Sequence, residues 1–297
     1  MAADMDWISE RLADRLDVRR LLPGAQTVVS LACNYYVDTP QTESSPVARY
    51  ARGRDYHYTL KDRLRALRRR LRERHPSLES YGCVDDGPFM EKVWAVRGGL
   101  GYVGRNGCLI TPKFGSYVLL ATLVLDARVD GYAQGPTPDL CDRCSLCISA
   151  CPTDALNGAR QVDARKCLSY QSIENPEPVP EPLRPGFVNL VFGCDICQEV
   201  CPLNDGPVPT LSDRFFPRAV AGLDVMGIAA LKREEYQTLT QGTPLARAKY
   251  EGLRRNALYA LGAARVEKAR PLLEEASREQ NPVLSEAARW ALQQLDS

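Results

Sequence analysis

Two short cysteine runs constrain this chain more than any other feature. CDRCSLCISACP, from Cys141, and CDICQEVCP, from Cys194, each pack their thiols tightly and close on a proline. Eleven cysteines in 297 residues could belong to a disulfide-bonded secreted protein. The N-terminus MAADMDWISERLADRLD, however, lacks the apolar stretch of a secretory signal, so the thiols point to metal and the protein is expected in the cytoplasm. No apolar run is long enough to cross a bilayer, since YVLLATLVLD from Tyr117 has the length of a strand; no membrane partner is expected. Lys and Arg number 38 against 37 Asp and Glu, for a net charge of +1. The molecule as a whole therefore predicts no polyanionic partner, and any basic grip must be local.

Cys141, Cys144, Cys147 and Cys151 follow C-x2-C-x2-C-x3-C-P, the ligand spacing of bacterial ferredoxins with two clusters. Tight turns bring the first three thiolates onto neighbouring corners of one cubane, and the fourth is directed to the other cluster. The second run offers only Cys194, Cys197 and Cys201, and Cys167 in ARKCLSYQ is the obvious supplier of the missing ligand. One [4Fe-4S] cluster is thus expected on Cys141, Cys144, Cys147 and Cys201, the other on Cys151, Cys167, Cys194 and Cys197. Structural zinc is the alternative, because CxxC pairs also make tetrahedral sites, but the crowding of the first run suits it poorly. Cys33, Cys83 and Cys108 remain and read as small buried residues. Two adjacent clusters form an electron path, and a simple electron carrier would not need the rest of this chain.

The remainder divides into three regions. Residues 1–135 alternate apolar strands with helices, which predicts an α/β sheet domain. QTVVSLACNYYV reads as a buried strand, and TLKDRLRALRRRLRERH as a helix with Leu60, Leu64, Leu67 and Leu71 on one stripe and a solvated basic outer face. A second helix is expected from about Pro88 to Arg97, with Asp85 or Asp86 as its N-cap. GGLGYVGRNG follows, suited to close backbone approach to a large ligand. Gly99, Gly101 and Gly104 spell G-x-G-x-x-G, but between a helix and a strand, which is the wrong context for a dinucleotide fingerprint. Residues 136–210 hold the cysteine runs, parted by the proline-rich NPEPVPEPLRPG. Residues 211–297 read as helical, with two successive helix pairs at the end. The fold class is mixed, α+β or α/β.

PGAQTVVSLACNYY, YARGRDYHYTLKDRL, VDDGPFMEKVWAVRGGLGYVGRNGCLITPKFGSY, both cysteine runs with Cys167 between them, and GLRRNALYALGAA together resemble the epoxyqueuosine reductases over nearly the whole chain. The resemblance implies reduction of epoxyqueuosine to queuosine at the wobble position of tRNA, by cobalamin supplied with electrons from two [4Fe-4S] clusters. It makes residues 1–135 a cobalamin-binding domain related to that of reductive dehalogenases, 136–210 a ferredoxin-like domain, and 211–297 a HEAT-like repeat region that holds the tRNA. It implies that Asp85 is the proton donor to the departing oxygen, with a pKa raised by burial beside the corrin. His57, Tyr58 and Lys92 match substrate-contacting positions; from the residues alone, His57 reads as a loop or helix-start residue. Leu109, Leu120 and Ser169 match positions that line cobalamin. Arg247, Lys249, Arg254 and Arg255 are the expected grip on the anticodon stem-loop, with the arginine-rich helix from Lys61 as the second candidate.

A flavodoxin or ferredoxin system is the expected electron donor, and a monomer the expected state. Members of the family begin several tens of residues earlier, which implies a smaller cofactor domain that binds cobalamin less well. Two other readings stand beside this one. A reductive dehalogenase-like oxidoreductase acting on a small molecule would leave the basic tail without a task. A non-catalytic dicluster electron-transfer protein would need no Asp85.

Overall fold

The computed structural model describes residues 1–39, 44–135, 137–141 and 143–297. Two short helices, α1 (Trp7–Glu10) and α2 (Leu12–Leu16), lead into β1 (Thr27–Asn34). Then follow α3 (Tyr56–Arg74), β2 (Ser80–Cys83), α4 (Glu91–Arg97), the small hairpin β3 (Tyr102–Val103) and β4 (Leu109–Ile110), and β5 (Val118–Leu125). The main sheet has the order β1-β5-β2. β5 runs antiparallel to both neighbours, with Thr27 opposite Leu125 and Asn34 opposite Val118. Helices do alternate with strands here, but among the described residues no parallel βαβ unit results. β1 and β2 lie on opposite sides of the last strand, so the region is α+β.

The stripe on α3 explains its placement. Leu60 and Leu64 are buried, and Leu67 and Leu71 pack with them against Val29, Leu31, Ala121, Leu123 and Leu125 on one face of the sheet. Arg65, Arg69, Arg70, Arg72 and Arg74 stay exposed on the outer face. On the sheet's other face Val124 and Cys83 meet Phe89 and Trp94. α4 starts at Glu91, three residues later than the sequence suggests, and Met90 precedes it without a side-chain cap. The cause is local: Asp85 sits at φ 56°, and Asp86 N–H to the Val84 carbonyl (2.5 Å) and Phe89 N–H to the Gly87 carbonyl (2.8 Å) fold the chain into tight turns. Neither Asp85 nor Asp86 is therefore an N-cap. Within the glycine-rich loop, Gly101 faces the chain itself. A Cβ at Gly101 would lie 2.0 Å from the Ile110 carbonyl oxygen, so that glycine serves the chain's own packing rather than a ligand.

The cysteine region carries α5 (Leu146–Ser149), α6 (Leu168–Ile173) and α7 (Ile196–Glu199). The tail follows with α8 (Val225–Ala229), α9 (Arg233–Thr240), α10 (Lys249–Ala263), α11 (Arg270–Ala276) and α12 (Pro282–Leu295). Cysteine region and tail share one core. Leu168, Phe187, Val191 and Phe192 pack with Leu253, Leu258, Leu261 and Trp290. Each such buried side chain contributes about 1.5–3 kcal/mol, so this seam ties the two regions into one unit. Among the described residues no helix is long and apolar enough to cross a membrane.

Candidate active site

The N-terminus of α3 and the end of β2 build the site together. Asp55 caps α3, accepting the His57 backbone N–H at 2.9 Å and lying 2.8 Å from His57 Nδ1. This fixes the imidazole with Nε2 turned toward Asp85, 3.6 Å from Oδ2. Tyr56 stacks on His57 with ring centroids 4.2 Å apart, and its hydroxyl donates to the Asp85 carboxylate. Lys61, one turn along α3, pairs with Asp86. From α4, Glu91 Oε1 accepts the Asp85 backbone N–H at 3.0 Å.

Asp85 opens into a cleft of about 690 Å³. Trp7 and Arg15 form one wall, Tyr50 and Phe192 another, and Glu174 and Arg247 the rim toward the tail. Arg247 Nη2 holds Glu174 Oε2 at 2.7 Å, with the guanidinium mostly exposed. The cleft thus draws on the sheet region, the cysteine region and the tail at once.

In the protein alone the electrostatics favour the charged form of Asp85. Its carboxylate is more than half exposed, and the facing His57 imidazolium, then the hydrogen bond from Tyr56, hold it below the usual carboxylate range despite partial desolvation. Burial acts against the charged form of His57, but Asp55 and Asp85 together outweigh it and push the imidazole up to about 9. Burial, reinforced by the charges of Asp85 and Asp86, raises Glu91 to about 8. At neutral pH the ionisable protons therefore sit on His57 and Glu91, with Asp85 ionised between them.

The thiols gather in two groups. Cys147 is raised by burial first and then by the nearby Cys141, Cys144 and Cys201. Cys194 is likewise raised by burial and then by Cys167 and Cys151 among its neighbours, and Cys197 lies beside Cys194 and Cys167. Among the described residues no three His, Cys, Asp or Glu side chains are grouped closely enough to hold a single metal ion. Two sets of four thiols, one near Cys141 and one near Cys167, fit the donor requirement of two cubanes. Of the three other cysteines, Cys83 is buried and Cys33 accepts from Arg63 Nη1 at 2.9 Å. Cys108 lies beside Cys197, next to these thiols, rather than in an isolated core.

The remaining expected residues scatter. Tyr58 is 52% exposed on α3 and does not line the cleft, whereas its neighbour Tyr56 does. Lys92 Nζ donates to the Gly107 carbonyl at 2.8 Å, tying α4 to the glycine loop. Leu109 is buried on β4, while Leu120 on β5 and Ser169 on α6 are half-buried. Arg247 and Lys249 are exposed. Arg254 and Arg255 require correction as a tRNA grip. Arg254 is buried against Glu279 (2.8 Å) and the Ala229 carbonyl (3.0 Å). Arg255 is fully buried and donates to the carbonyls of Asn175, Glu177 and Gln171. Neither offers a free donor to a phosphate. Sequence reading missed Tyr56, Asp55, Glu91 and Glu174. Only Asp55 carried a signal, an aspartate immediately before the helical pattern.

Known proteins resemble this chain in sequence and in fold. Residues 140–204 match the family described as "4Fe-4S double cluster binding domain", and residues 15–86 match "Epoxyqueuosine reductase QueG, DUF1730". The chain is 39% identical over 254 residues to the epoxyqueuosine reductase of Leadbetterella byssophila, covering 85% of this chain and 82% of that protein. It is 41% identical to the epoxyqueuosine reductase of Synechococcus sp. RCC307, covering 86% and 78%. A crystal structure of epoxyqueuosine reductase with an epoxyqueuosine-modified tRNA-Tyr stem loop superposes with a TM-score of 0.87 at 28% identity, over 96% of this chain and 77% of that one. So does the Bacillus subtilis epoxyqueuosine reductase with its catalytic aspartate loop swung out of the active site, with a TM-score of 0.87 at 27% identity, over 96% and 78%.

Proposed function

Because this chain belongs to the epoxyqueuosine reductase family, we propose that it reduces epoxyqueuosine to queuosine in tRNA, with the oxygen leaving beside Asp85. The observation that carries this reading is the Tyr56–His57–Asp85 constellation, open to a cleft that both the cysteine region and the tail help to wall. Converting an epoxide to an alkene takes two electrons and two protons and releases the oxygen as water. Two [4Fe-4S] clusters, on Cys141, Cys144, Cys147 and Cys201 and on Cys151, Cys167, Cys194 and Cys197, would carry the electrons one at a time. α6 leads from Cys167 to Ile173 at the cleft wall, and Phe192 lies two residues before Cys194, so the second group stands nearer the cleft in the chain.

Cobalamin, when bound, supplies a cobalt centre able to take single electrons and deliver a pair. Two features of the sheet favour a large flat cofactor. β5 is the middle strand, yet Val118, Leu119 and Leu120 are only half-buried. Ser30 and Thr122 face each other across β1 and β5, and both hydroxyls are buried without a hydrogen-bond partner among the described residues. Leu120 shares a strand face with Thr122 by period-two alternation. Leu109, Leu120 and Ser169 would hold the group.

Asp85 is the residue we assign to the departing oxygen. In the free protein it is ionised, and the proton it needs resides on His57, whose Nε2 faces it. His57 therefore loads Asp85 once substrate displaces water from the cleft, and Tyr56 keeps the carboxylate oriented. The wobble base can enter because loop bases are readily splayed from their stack. Arg247 at the rim, with Lys249 beside it, would meet the RNA backbone, and α11 and α12 with α10 would form the HEAT-like support. A flavodoxin or ferredoxin would charge the clusters, in the cytoplasm, on a monomeric enzyme. The test is mass spectrometry of an epoxyqueuosine-bearing stem-loop incubated with the reconstituted protein and a reductant. Loss of one oxygen from the modified base is the expected result; an unchanged base with fully loaded clusters and cobalamin would overturn the reading.

A further inference from the structure

We propose that Glu91 is a positioning residue for Asp85: it accepts the Asp85 backbone N–H and so holds the carboxylate against Tyr56 and His57. The inference rests on the role given to Asp85 above. The hydrogen bond is 3.0 Å long and reaches back from the first residue of α4, closing residues 85–91 into a ring. Asp85 has φ 56°, a left-handed conformation that non-glycine residues avoid, so its backbone needs an external hold.

Backbone bonds from Asp86 to Val84 and from Phe89 to Gly87 turn the loop locally, while the ties that reach Asp85 and Asp86 from α3 grip side chains. Tyr56 and His57 hold the Asp85 carboxylate, and Lys61 holds Asp86. Substrate entering the cleft competes for Tyr56 and His57, and the backbone bond to Glu91 is untouched by that competition. The chemistry of the acceptor suits the task. Burial, with Asp85 and Asp86 beside it, raises Glu91 to about 8, so at neutral pH it accepts the N–H without setting another negative charge against Asp85. The carboxyl thus fixes the loop without changing the charge of the pair it serves.

Glu91→Leu removes the acceptor at comparable bulk, and Glu91→Gln retains it. Both are compared with the reconstituted wild-type enzyme by amide exchange at Asp85 and by steady-state turnover of an epoxyqueuosine stem-loop. In Glu91→Leu, Asp85 amide exchange should rise about tenfold and kcat fall about tenfold, as loss of one hydrogen bond implies, with KM within about twofold. Glu91→Gln should restore both. If Glu91→Leu does not fold, as cluster absorption would reveal, Glu91→Met replaces it with the same expectations. Unchanged protection in the apolar variant overturns the proposal, as does faster exchange with unchanged kcat. Equal impairment of Glu91→Gln overturns it too, because the acceptor would then be irrelevant. Absence of turnover in the wild type would refute the functional reading instead, while the exchange data would still decide the tether.

Discussion

Helices α3 and α10 look alike as sequences, each setting adjacent arginines among leucines, yet they use those arginines in opposite ways. α3 lies on one face of a sheet, so only its leucine stripe is covered and Arg65, Arg69, Arg70, Arg72 and Arg74 remain in water. α10 is covered on several sides, by α8, by α12 and by the cysteine region, and every residue from Gly252 to Gly262 is buried. Gly262 belongs to this closeness, because a Cβ there would lie 2.6 Å from Ala291 Cα. Arg255 is consequently a joint between tail and cysteine region, its guanidinium donating to three backbone carbonyls. A charge in a helical pattern gives its sign; the number of covered faces decides whether it reads as a surface for RNA or as an internal fastening.

The comparison breaks most easily at Arg255. Arg255→Ala leaves three backbone carbonyls, that of buried Gln171 among them, without their donor and opens a gap where a fully buried side chain stood, and stability should fall by about 3 kcal/mol or more in denaturant unfolding. A variant as stable as the wild type would mean the fastening is idle. Next comes the N-terminal end of α3, where His57 titrates. Its folded pKa of about 9 lies above its ordinary 6.5, so its stabilisation is complete below about 6.5 and lost as pH rises through 9. Wild-type stability should decline across that window by on the order of 2 kcal/mol, allowing for partial exposure. His57→Gln should flatten this part of the profile. Glu91, also raised, adds a decline between about 4.5 and 8, which Glu91→Gln should remove.

Smaller effects sharpen the contrast between surface and joint. Arg247→Ala with Lys249→Ala should weaken stem-loop binding by about 1 kcal/mol per lost phosphate contact and lower its salt dependence. Thermal stability should barely move, since only the exposed Arg247–Glu174 pair is lost. Smallest of all, Arg69→Ala on α3 should change stability by less than about 0.5 kcal/mol, because its contact with Glu73 is exposed at 3.9 Å. A larger effect on RNA binding than that of the rim pair would transfer the grip to α3.

The cysteines were legible because ligand spacing is a local property, written within eleven residues and a proline. The stripe on α3 was legible for the same reason. Asp85 was visible only through resemblance; nothing in VDDGP announces a left-handed aspartate. Its partners were hidden because Tyr56 and Glu91 reach it through a turn whose shape depends on that φ value. The imidazolium that lowers its pKa in the protein alone was hidden as well, because His57 meets it only through the fold. Arg254 and Arg255 were misread because periodicity cannot count the neighbours on a helix's second side. The shared core of cysteine region and tail lay outside the sequence's reach for that reason too.

On the proposed function, the cysteines supply electrons and the bond is broken at Asp85, and this division of labour is its central claim. It is tested most directly by Asp85→Asn in the reconstituted enzyme, with conversion of an epoxyqueuosine stem-loop followed by mass spectrometry. Cluster absorption, cobalamin content and stem-loop affinity should match the wild type while conversion is abolished. Full conversion by Asp85→Asn would contradict it.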